Sequence, residues 1–213
     1  MNPSALWPRR GLYLLTPDEP DTARLLARVL PALAAGVALL QYRNKLVDGE
    51  RRRQQALALL PHCRRLGIPL IVNDDWALAA GIGADGAHLG ETDGDISAAR
   101  NALPASAIVG ASCYDSLERA EAAAAAGASY LAFGAMFASG SKPHARNASL
   151  DLLRQAARFG LPRVAIGGIT PDNARSVIAA GADLIAVIGG VFDAPDPALA
   201  VRDYLECLEE QAQ

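Results

Sequence analysis

Two aspartates stand at positions where they could hold a metal ion. Asp74 and Asp93 each follow one of two successive apolar runs, LIV and AHL, which are predicted to form neighbouring strands. Carboxylates on adjacent strands suit Mg²⁺, which usually takes one or two of them and completes its shell with water and substrate phosphates. Either aspartate alone could instead cap a following helix, and Asp75 is predicted to do so. As a pair, Asp74 and Asp93 predict a magnesium site.

Three cationic side chains, Arg43, Lys45 and Lys142, lie in predicted loops of a chain whose formal net charge is −3. Basic groups gathered beside a metal in an acidic protein indicate a polyanionic ligand such as a diphosphate. Ser139 and Ser141 alternate just before Lys142 and could offer hydroxyl groups to phosphate oxygens. The segment lacks the GxxxxGK[ST] spacing of a P-loop, and a single loop lysine is commonly a solvated surface charge. The prediction therefore depends on the three cations together.

Two glycine pairs, Gly167–Gly168 and Gly189–Gly190, follow the last two apolar runs. Glycine lets backbone N–H groups approach an anion closely, although a tight turn from strand to helix would use the same residues. With the cations and the aspartates, the glycines predict two anion sites, as a condensation of two phosphorylated molecules would need. No Ser/His/Asp order or reactive cysteine stands out, and His88 is predicted to be packed within a strand.

Eight short apolar segments, separated by segments of helical character, must position these residues. Four follow a small-residue turn and most of the others are introduced by proline, an alternation that indicates a repeated βαβα unit. Asp21 and Thr170 are predicted helix N-caps, and Asp115 with Glu118 is predicted to form a capping box. Apolar strands alternating with amphipathic helices indicate a parallel sheet covered by helices. Eight units favour a closed (β/α)8 TIM barrel, with residues 1–213 as a single domain, over an open doubly wound sheet.

In such a barrel the active site lies at the carboxyl ends of the strands, and polar residues of this chain collect there. They are Gln41, Arg43, Asn44 and Lys45 after strand 2, Asn73 to Asp75 after strand 3, Glu91 to Asp93 after strand 4, Ser112 at the end of strand 5 and residues 138–148 after strand 6. Any one of these loops could be polar without a function. Their joint placement predicts one shared site.

The composition argues against several classes of protein. Hydrophobic residues make up 51% of the chain, enough for a sizeable core, and a net charge of −3 with an isoelectric point near 5.6 argues against nucleic-acid binding. No apolar run approaches the ~20 residues that span a bilayer, and the first residues do not resemble a signal peptide. The three cysteines are widely spaced, without a CxxC pair, which is typical of free thiols. We therefore expect a cytoplasmic protein with small-molecule substrates and neither a nucleic-acid nor a membrane partner.

Six motifs occur in the order found in a known family: QYRNK from Gln41, IVNDDWALA, ADGAHLGETD, GASCYDS, FGAMFASGSKPHA and VAIGGIT. From about Gly11 to Phe192 the sequence resembles the thiamine phosphate synthase family. The resemblance implies a (β/α)8 barrel and a Mg²⁺-dependent transferase. The reaction it implies joins 4-amino-2-methyl-5-hydroxymethylpyrimidine diphosphate to thiazole phosphate, giving thiamine phosphate and diphosphate.

The resemblance also implies roles for residues within the motifs. For the pyrimidine diphosphate it implies Gln41, Tyr42, Arg43, Asn44, Lys45, Asn73, Ser112 and Lys142, and for the thiazole phosphate Ser139, Gly140, Ser141, Gly168, Ile188 and Gly189. It places Mg²⁺ on Asp74 and Asp93. Arg43, Ser112 and Lys142 are predicted to assist catalysis, because loss of diphosphate puts growing negative charge on the leaving group.

The sequence departs from the family pattern at five positions. The family usually has Gln where Glu91 stands, Pro where Ala135 stands, Thr where Ser139 and Ser141 stand, and Ser where Gly189 stands. These differences concern affinity for the thiazole more than the reaction itself. Two alternatives stay open: an isomerase or thiazole tautomerase acting on one phosphorylated substrate, and a non-catalytic protein that binds thiamine precursors.

Overall fold

The computed structural model describes residues 10–138 and 147–209. Within them, eight parallel strands form one closed barrel. In chain order the strands are β1 (Gly11–Leu15), β2 (Leu39–Tyr42), β3 (Leu70–Asn73), β4 (Gly86–Leu89), β5 (Ile108–Tyr114), β6 (Tyr130–Phe133), β7 (Arg163–Ile166) and β8 (Leu184–Val187). Each strand pairs with the next, and β1 pairs with β8.

Helices connect the strands and cover the outside of the barrel. In chain order they are α1 (Thr22–Ala34), α2 (Gly49–Leu66), α3 (Trp76–Ile82), α4 (Ile96–Ala102), α5 (Leu117–Ala125), α6 (Leu150–Gln155), which a 3-10 helix (Ala156–Phe159) continues, α7 (Pro171–Ala179), α8 (Gly189–Phe192) and α9 (Pro197–Glu209). The predicted (β/α)8 barrel is confirmed, and the open doubly wound sheet is wrong because β8 hydrogen-bonds to β1. No helix in the described ranges is both long and apolar enough to cross a membrane.

Short polar side chains mark where the helices begin. Asp21 accepts a hydrogen bond from a backbone N–H in the first turn of α1 at 2.8 Å, and Thr170 caps α7 in a capping box, both as predicted. The predicted cap at Asp115 is wrong. Ser116, whose backbone is extended, is the N-cap of α5, and its Oγ accepts a hydrogen bond from the N–H of Arg119 at 3.2 Å. The helix therefore starts one residue later than the sequence pattern predicts.

The predicted two-strand repeat has a counterpart at the amino ends of the strands. Three even-numbered strands, β4, β6 and β8, are each preceded by a polar residue. The side chain of that residue accepts a hydrogen bond from a backbone N–H of the strand before it. The pairs are Asp85 with Leu70 at 2.8 Å, Ser129 with Val109 at 3.0 Å, and Asp183 with Arg163 at 2.8 Å. The same contact thus recurs in three of the four βαβα units; the first has Ala38 at the corresponding position and lacks the side-chain acceptor.

Buried side chains form two apolar layers, one inside the barrel and one between the strands and the helices. The cluster inside the barrel contains Tyr13, Leu15, Leu39, Ile71, Ile108, Tyr130, Ala132, Val164, Leu184 and Ala186. Gly110 makes room for one of them, since a Cβ at this position would lie 2.0 Å from the ring of Tyr130. Strand β5 continues past the predicted end at Ser112 to Tyr114, and its register with β6 shifts between these two residues.

Candidate active site

The loop that follows β2 presents two cations at the carboxyl end of the barrel. Nη1 of Arg43 lies 2.9 and 3.0 Å from the two carboxylate oxygens of Asp18, in the loop after β1. The carboxylate of Asp18 also accepts a hydrogen bond from the backbone N–H of Lys45 at 2.7 Å. The hydroxyl of Thr16 donates to the carbonyl of Arg43 at 2.6 Å and accepts from its N–H at 2.8 Å. Residues at the end of β1 therefore hold Arg43 and Lys45 in place.

The two aspartates predicted to bind a metal meet at the ends of β3 and β4. Their carboxyl groups lie close enough to shift each other's pKa, and the ammonium of Lys45 contacts the carboxylate of Asp74. Oδ2 of Asp93 accepts a hydrogen bond from the N–H of Gly90 at 3.0 Å. The backbone of Asp74 is left-handed, with a φ of 63°, which is uncommon for residues other than glycine but more accessible to Asp and Asn. Backbone strain of this kind is concentrated at functional sites.

The charges around the two aspartates differ. Burial alone would raise the pKa of Asp74, but the hydrogen bond and the charge of Lys45 outweigh it and hold that pKa below its ordinary value. Burial and the nearby carboxylate of Asp74 raise the pKa of Asp93. Two carboxylates this close repel each other unless a proton or a cation neutralises one of them. The pair therefore suits a bound cation.

The carboxylates of Asp74 and Asp93 fit magnesium both in their number and in their chemistry. Among the residues that the structure describes, no three or more His, Cys, Asp or Glu side chains gather to hold a metal ion. Asp74 and Asp93 would supply two carboxylates, as many as Mg²⁺ commonly takes from a protein when substrate phosphates and water complete its shell. Their site thus fits a metal that arrives together with a diphosphate.

A chain of hydrogen bonds crosses the barrel interior and ends at Ser112. Nε2 of Gln41 donates to the hydroxyl of Tyr13 at 2.7 Å, and this hydroxyl lies 2.7 Å from that of Tyr130. The hydroxyl of Tyr130 lies 2.7 Å from Nδ1 of His88, whose Nε2 lies 2.8 Å from Oγ of Ser112. Burial lowers the pKa of His88 to about 4, so its ring is neutral at neutral pH. His88 is packed within β4, as predicted, but it also contacts a predicted site residue.

Two residues predicted to contact the pyrimidine diphosphate, Tyr42 and Asn44, have side chains buried beneath the β2 loop. The hydroxyl of Tyr42 and Nδ2 of Asn44 both donate to Oε1 of Gln55, each at 2.9 Å. Asn44 also donates to the carbonyl of Glu19 at 2.7 Å and accepts from the N–H of Leu46 at 3.0 Å. These side chains hold the loop in shape. A contact of either residue with a substrate would therefore come from its backbone.

A small cleft lies between the β2 loop and the start of α3. Asn73, at the end of β3, lines it together with Lys45 and Asp74. Arg52, in the first turn of α2, lines the same cleft, and its Nε is buried without a hydrogen-bond partner in the described ranges. The carboxylate of Asp75 accepts a hydrogen bond in the first turn of α3 at 2.7 Å, which confirms its predicted role as N-cap.

The glycines after β7 and β8 lie where neighbouring groups approach the backbone closely. Gly168 has a φ of 64°, and a Cβ there would lie 2.7 Å from the carbonyl oxygen of Ala138. The end of β7 is thus packed against the stretch that leads into residues 139–146. Gly189 begins α8, directly after Ile188, and a Cβ there would lie 2.5 Å from a carboxylate oxygen of Asp193.

Four of the predicted site residues, Ser139, Gly140, Ser141 and Lys142, lie outside the described residues. Their expected contacts with the thiazole phosphate and the diphosphate therefore stay predictions.

The sequence patterns miss four residues that organise the site. Asp18 follows β1 in the segment TPDEP, so the rule that polar residues gather at strand ends could have found it. Tyr13 and Tyr130 are strand aromatics in a chain with only 5% aromatic residues, which is a weak signal for a special role. Gln55 is a polar residue on the buried face of α2. Only the fold brings it to Tyr42.

Comparison with known proteins identifies the family. Residues 12–191 match a family model described as thiamine monophosphate synthase. The chain belongs to this family. It is 58% identical over 195 residues to the thiamine-phosphate synthase of Xanthomonas campestris pv. campestris, which covers 92% of this chain and 94% of that protein. It is also 58% identical over 192 residues to the thiamine-phosphate synthase of Chromobacterium violaceum, covering 90% and 93%.

A solved structure within the same family supports the fold. The thiamine phosphate pyrophosphorylase from Pyrococcus furiosus is 34% identical, with a TM-score of 0.85, and the match covers 96% of this chain and 98% of that one. The resemblance predicted from the six sequence motifs is thus confirmed, as is the barrel that it implies.

Proposed function

We propose that the chain is a thiamine phosphate synthase, a transferase that joins 4-amino-2-methyl-5-hydroxymethylpyrimidine diphosphate to thiazole phosphate and releases diphosphate. The observation that carries this proposal is the meeting of Lys45 with Asp74 and Asp93 beside Arg43, at the strand ends of a barrel of this family. Cations next to a carboxylate pair suit a diphosphate that binds together with a metal ion.

Most of the residues that we assign to catalysis act on the leaving group, the diphosphate. The bond between the pyrimidine methylene carbon and the diphosphate oxygen breaks, and its electron pair stays on the diphosphate. The lone pair of the thiazole nitrogen forms the new carbon–nitrogen bond, so the reaction needs no strong protein base. Donors that stabilise the departing charge more than the bound substrate accelerate the reaction. Arg43, Lys45, Ser112 and Lys142 are the groups that we assign to this task.

Two of these cations have carboxylate partners in the structure. The ammonium of Lys45 contacts Asp74, and the guanidinium of Arg43 contacts Asp18. We infer that the diphosphate takes over the Lys45 ammonium, whereas Arg43 keeps Asp18 as an orienting partner. When bound, Mg²⁺ would neutralise the two carboxylates and part of the diphosphate charge.

The remaining assignments concern the two organic groups. Gln41, Asn73 and Ser112 offer polar groups among the last residues of β2, β3 and β5, towards their carboxyl ends, where we place the pyrimidine diphosphate. For the thiazole phosphate we propose residues 139–141 with Gly168, Ile188 and Gly189. Gly168 is packed against Ala138, and this contact supports a shared surface between the β7 end and that segment.

We further propose that the chain acts in the cytoplasm as a single domain. The three cysteines, Cys63, Cys113 and Cys207, are all buried and form no disulfide. Burial raises the pKa of the Cys63 and Cys113 thiols to about 12, so both are protonated and unreactive at neutral pH. Free thiols of this kind are typical of a reducing compartment.

The deciding experiment incubates the protein with both precursors and Mg²⁺ and measures thiamine phosphate and diphosphate. We expect equal amounts of the two products, and none when the thiazole phosphate or the metal is withheld. Metal-independent conversion of one phosphorylated substrate would instead indicate the isomerase alternative. Tight binding of the precursors without release of diphosphate would indicate the non-catalytic alternative.

A further inference from the structure

The loop between β4 and α4, residues 90–95, carries Asp93 and closes on itself. Oδ2 of Asp93 accepts a hydrogen bond from the N–H of Gly90 at 3.0 Å, and a Cβ at Gly90 would lie 2.6 Å from that oxygen. Glycine at position 90 therefore lets the carboxylate fold back over the end of β4. This internal bond fixes Asp93 relative to Gly90, but it does not tie the loop to the neighbouring helix.

A cleft separates this loop from α5. Its volume is about 300 Å³, and residues at the end of β5 form its floor. The loop and the start of α4 form one wall, and α5 forms the other with Arg119, Ala122, Ala123 and Ala126. The short alanine side chains do not fill the gap, so few apolar contacts with α5 hold the loop in place.

Arg119, in the first turn of α5, spans the cleft. Its Nη1 donates to Oε1 of Glu91 at 2.7 Å, in the loop itself. The guanidinium carbon lies 5.4 Å from the centre of the Tyr114 ring, within the range of a cation–π interaction. The hydroxyl of Tyr114 lies 3.2 Å from the place that a Cβ at Gly90 would take. One arginine thus supports the loop directly at Glu91 and, through Tyr114, at Gly90.

We propose that Arg119 is a positioning residue for the metal site, which holds the loop against α5 and keeps Asp93 beside Asp74, so that the two carboxylates bind a divalent cation more tightly. The proposal rests on the proposed function, which gives the carboxylates a cation to bind. Asp74 has its own anchor, since its N–H donates to the carbonyl of His88 at 2.8 Å. Asp93 depends on its loop. A partly exposed ion pair contributes up to ~1 kcal/mol, equivalent to about fivefold in affinity.

Manganese binding tests the proposal without turnover. Mn²⁺ prefers the same oxygen ligands as Mg²⁺, and electron paramagnetic resonance measures free Mn²⁺ in protein solutions without substrate. Arg119→Met removes the charge but keeps the apolar stem, and we expect the Kd for Mn²⁺ to rise about three- to fivefold. Arg119→Lys retains a cation for Glu91 and should stay within about twofold of the wild type. An unchanged Kd in Arg119→Met would overturn the proposal.

A double-mutant cycle tests whether Arg119 acts through its contact with the loop. Glu91→Ala removes a negative charge near the metal site and the partner of Arg119 at once, and the cycle separates these two effects. In the Glu91→Ala background, Arg119→Met should raise the Kd for Mn²⁺ by less than about twofold. Full additivity of the two changes would contradict the positioning role.

Steady-state kinetics add a readout that a merely structural role would not change. Arg119→Met should raise the Mg²⁺ concentration at half-maximal activity about three- to fivefold. The KM for the thiazole phosphate and kcat at saturating Mg²⁺ should stay within about twofold of the wild type, because Arg119 does not touch the reacting groups.

Arg163→Met is the matched control. Nε of Arg163 lies 3.7 Å from the carboxylate of Asp183 at the amino end of β7, the opposite end of the barrel. This variant should lower the free energy of unfolding and leave both metal readouts unchanged. Equal shifts in Arg119→Met and Arg163→Met would reduce Arg119 to a role in stability.

The outcomes separate this proposal from the proposed function. If Arg119→Met does not fold, Glu91→Ala breaks the same ion pair from its more exposed side, and an unchanged Kd for Mn²⁺ in that variant would equally overturn the proposal. A wild type that binds Mn²⁺ and makes thiamine phosphate, but whose Kd is insensitive to Arg119→Met, removes this proposal alone. A wild type that neither binds Mn²⁺ nor makes thiamine phosphate removes the proposed function and this role of Arg119 with it.

Discussion

Nη1 of Arg43 lies 2.9 Å from one carboxylate oxygen of Asp18 and 3.0 Å from the other, so the end of β1 orients a cation that we assign to the diphosphate. Asp18→Asn removes the charge of the partner but keeps an oxygen for the N–H of Lys45. We expect KM for the pyrimidine diphosphate to rise about fivefold, equivalent to ~1 kcal/mol, as for a partly exposed ion pair.

The neighbouring Glu19 provides the control for Asp18. Its carboxylate accepts a hydrogen bond from the N–H of Asp21 at 3.0 Å, whereas the ion pairs of Arg43 and Lys45 are with Asp18 and Asp74. Glu19→Gln removes the same charge one residue away, and we expect KM to change by less than about twofold. Equal effects of the two variants would mean that Asp18 acts through net charge and not by orienting Arg43.

The closeness of the Asp74 and Asp93 carboxyl groups predicts a shared role in metal binding. Asp93→Asn keeps the shape of the side chain but removes one carboxylate charge. We expect a higher Mg²⁺ concentration at half-maximal activity and a kcat lowered about 100-fold, since a metal contributes several kcal/mol to the stabilisation of a charged transition state. A Mg²⁺ titration of steady-state activity measures both effects.

Asp75→Asn is the matched control for the metal prediction. Asp75 caps α3, and asparagine is an equally good N-cap, so fold and activity should be retained. An Asp93→Asn variant with the Mg²⁺ dependence of the wild type would contradict the assignment of that residue.

The buried ring of His88 predicts how stability changes with pH. An unfolded histidine titrates near 6.5, but burial lowers the pKa of His88 in the folded protein to about 4. Between these values the unfolded chain binds more protons, so the free energy of unfolding falls as the pH is lowered from 6.5 towards 4. His88 should account for a decrease of about 3 kcal/mol across this window.

Urea unfolding at pH 7 and pH 4.5 without Mg²⁺ measures this decrease. His88→Gln should show a shallower pH dependence than the wild type, whereas His62→Gln should follow the wild type. A His88→Gln variant with an unchanged slope would show that the carboxylates, and not His88, dominate acid destabilisation.

The barrel can be predicted from the sequence because its signals are local. Apolar segments recur between glycine and proline boundaries, and eight of them favour closure. Predicting which side chains face the site is harder. Gln41 and Tyr42 are adjacent in one motif, yet in the strand they point to opposite sides, Gln41 towards Tyr13 and Tyr42 towards Gln55. A motif shared with a family does not show which of two adjacent side chains faces the site.

Contacts between distant strands are also outside what local patterns predict. Tyr13 and Tyr130 are 117 residues apart in sequence, but their hydroxyls lie 2.7 Å apart. The predicted N-cap at Asp115 is wrong by a single residue. Asp115 and Ser116 are both competent N-caps, and the fold selects the one that directly precedes the first helical residue.

Lys142 follows two hydroxyl residues in the sequence, and we expect it to act on the departing diphosphate as a charge. An ammonium beside a polyanion stays protonated, so a role as base is disfavoured. Lys142→Arg should keep part of the rate because it retains the charge with a different reach, and Lys142→Ala should lose about 10²–10³ in turnover. Single-turnover release of diphosphate at saturating substrates and Mg²⁺ is the measurement. A rate of Lys142→Ala within about twofold of the wild type would make this lysine a surface charge.

Gly189 stands where the family usually has serine, and the structure predicts that the change is tolerated. A Cβ at this position would lie 2.5 Å from Oδ2 of Asp193, the far end of an exposed side chain that can turn into solvent. Gly189→Ser should therefore fold normally and add a hydroxyl at the start of α8. We expect KM for the thiazole phosphate to fall about three- to tenfold, as one added hydrogen bond of about 1 kcal/mol would produce.

Gly190→Ser is the control, because the two glycines differ in what surrounds them. A Cβ at Gly190 would lie 2.2 Å from the hydroxyl of Tyr204, which is buried and donates to the carbonyl of Ile169 at 2.8 Å. This tyrosine cannot move without breaking that bond, so Gly190→Ser should lower the free energy of unfolding by about 1–3 kcal/mol. Steady-state kinetics with varied thiazole phosphate, together with thermal unfolding of both variants, separates the two effects. A Gly189→Ser protein with an unchanged KM for the thiazole phosphate would place that phosphate away from the start of α8.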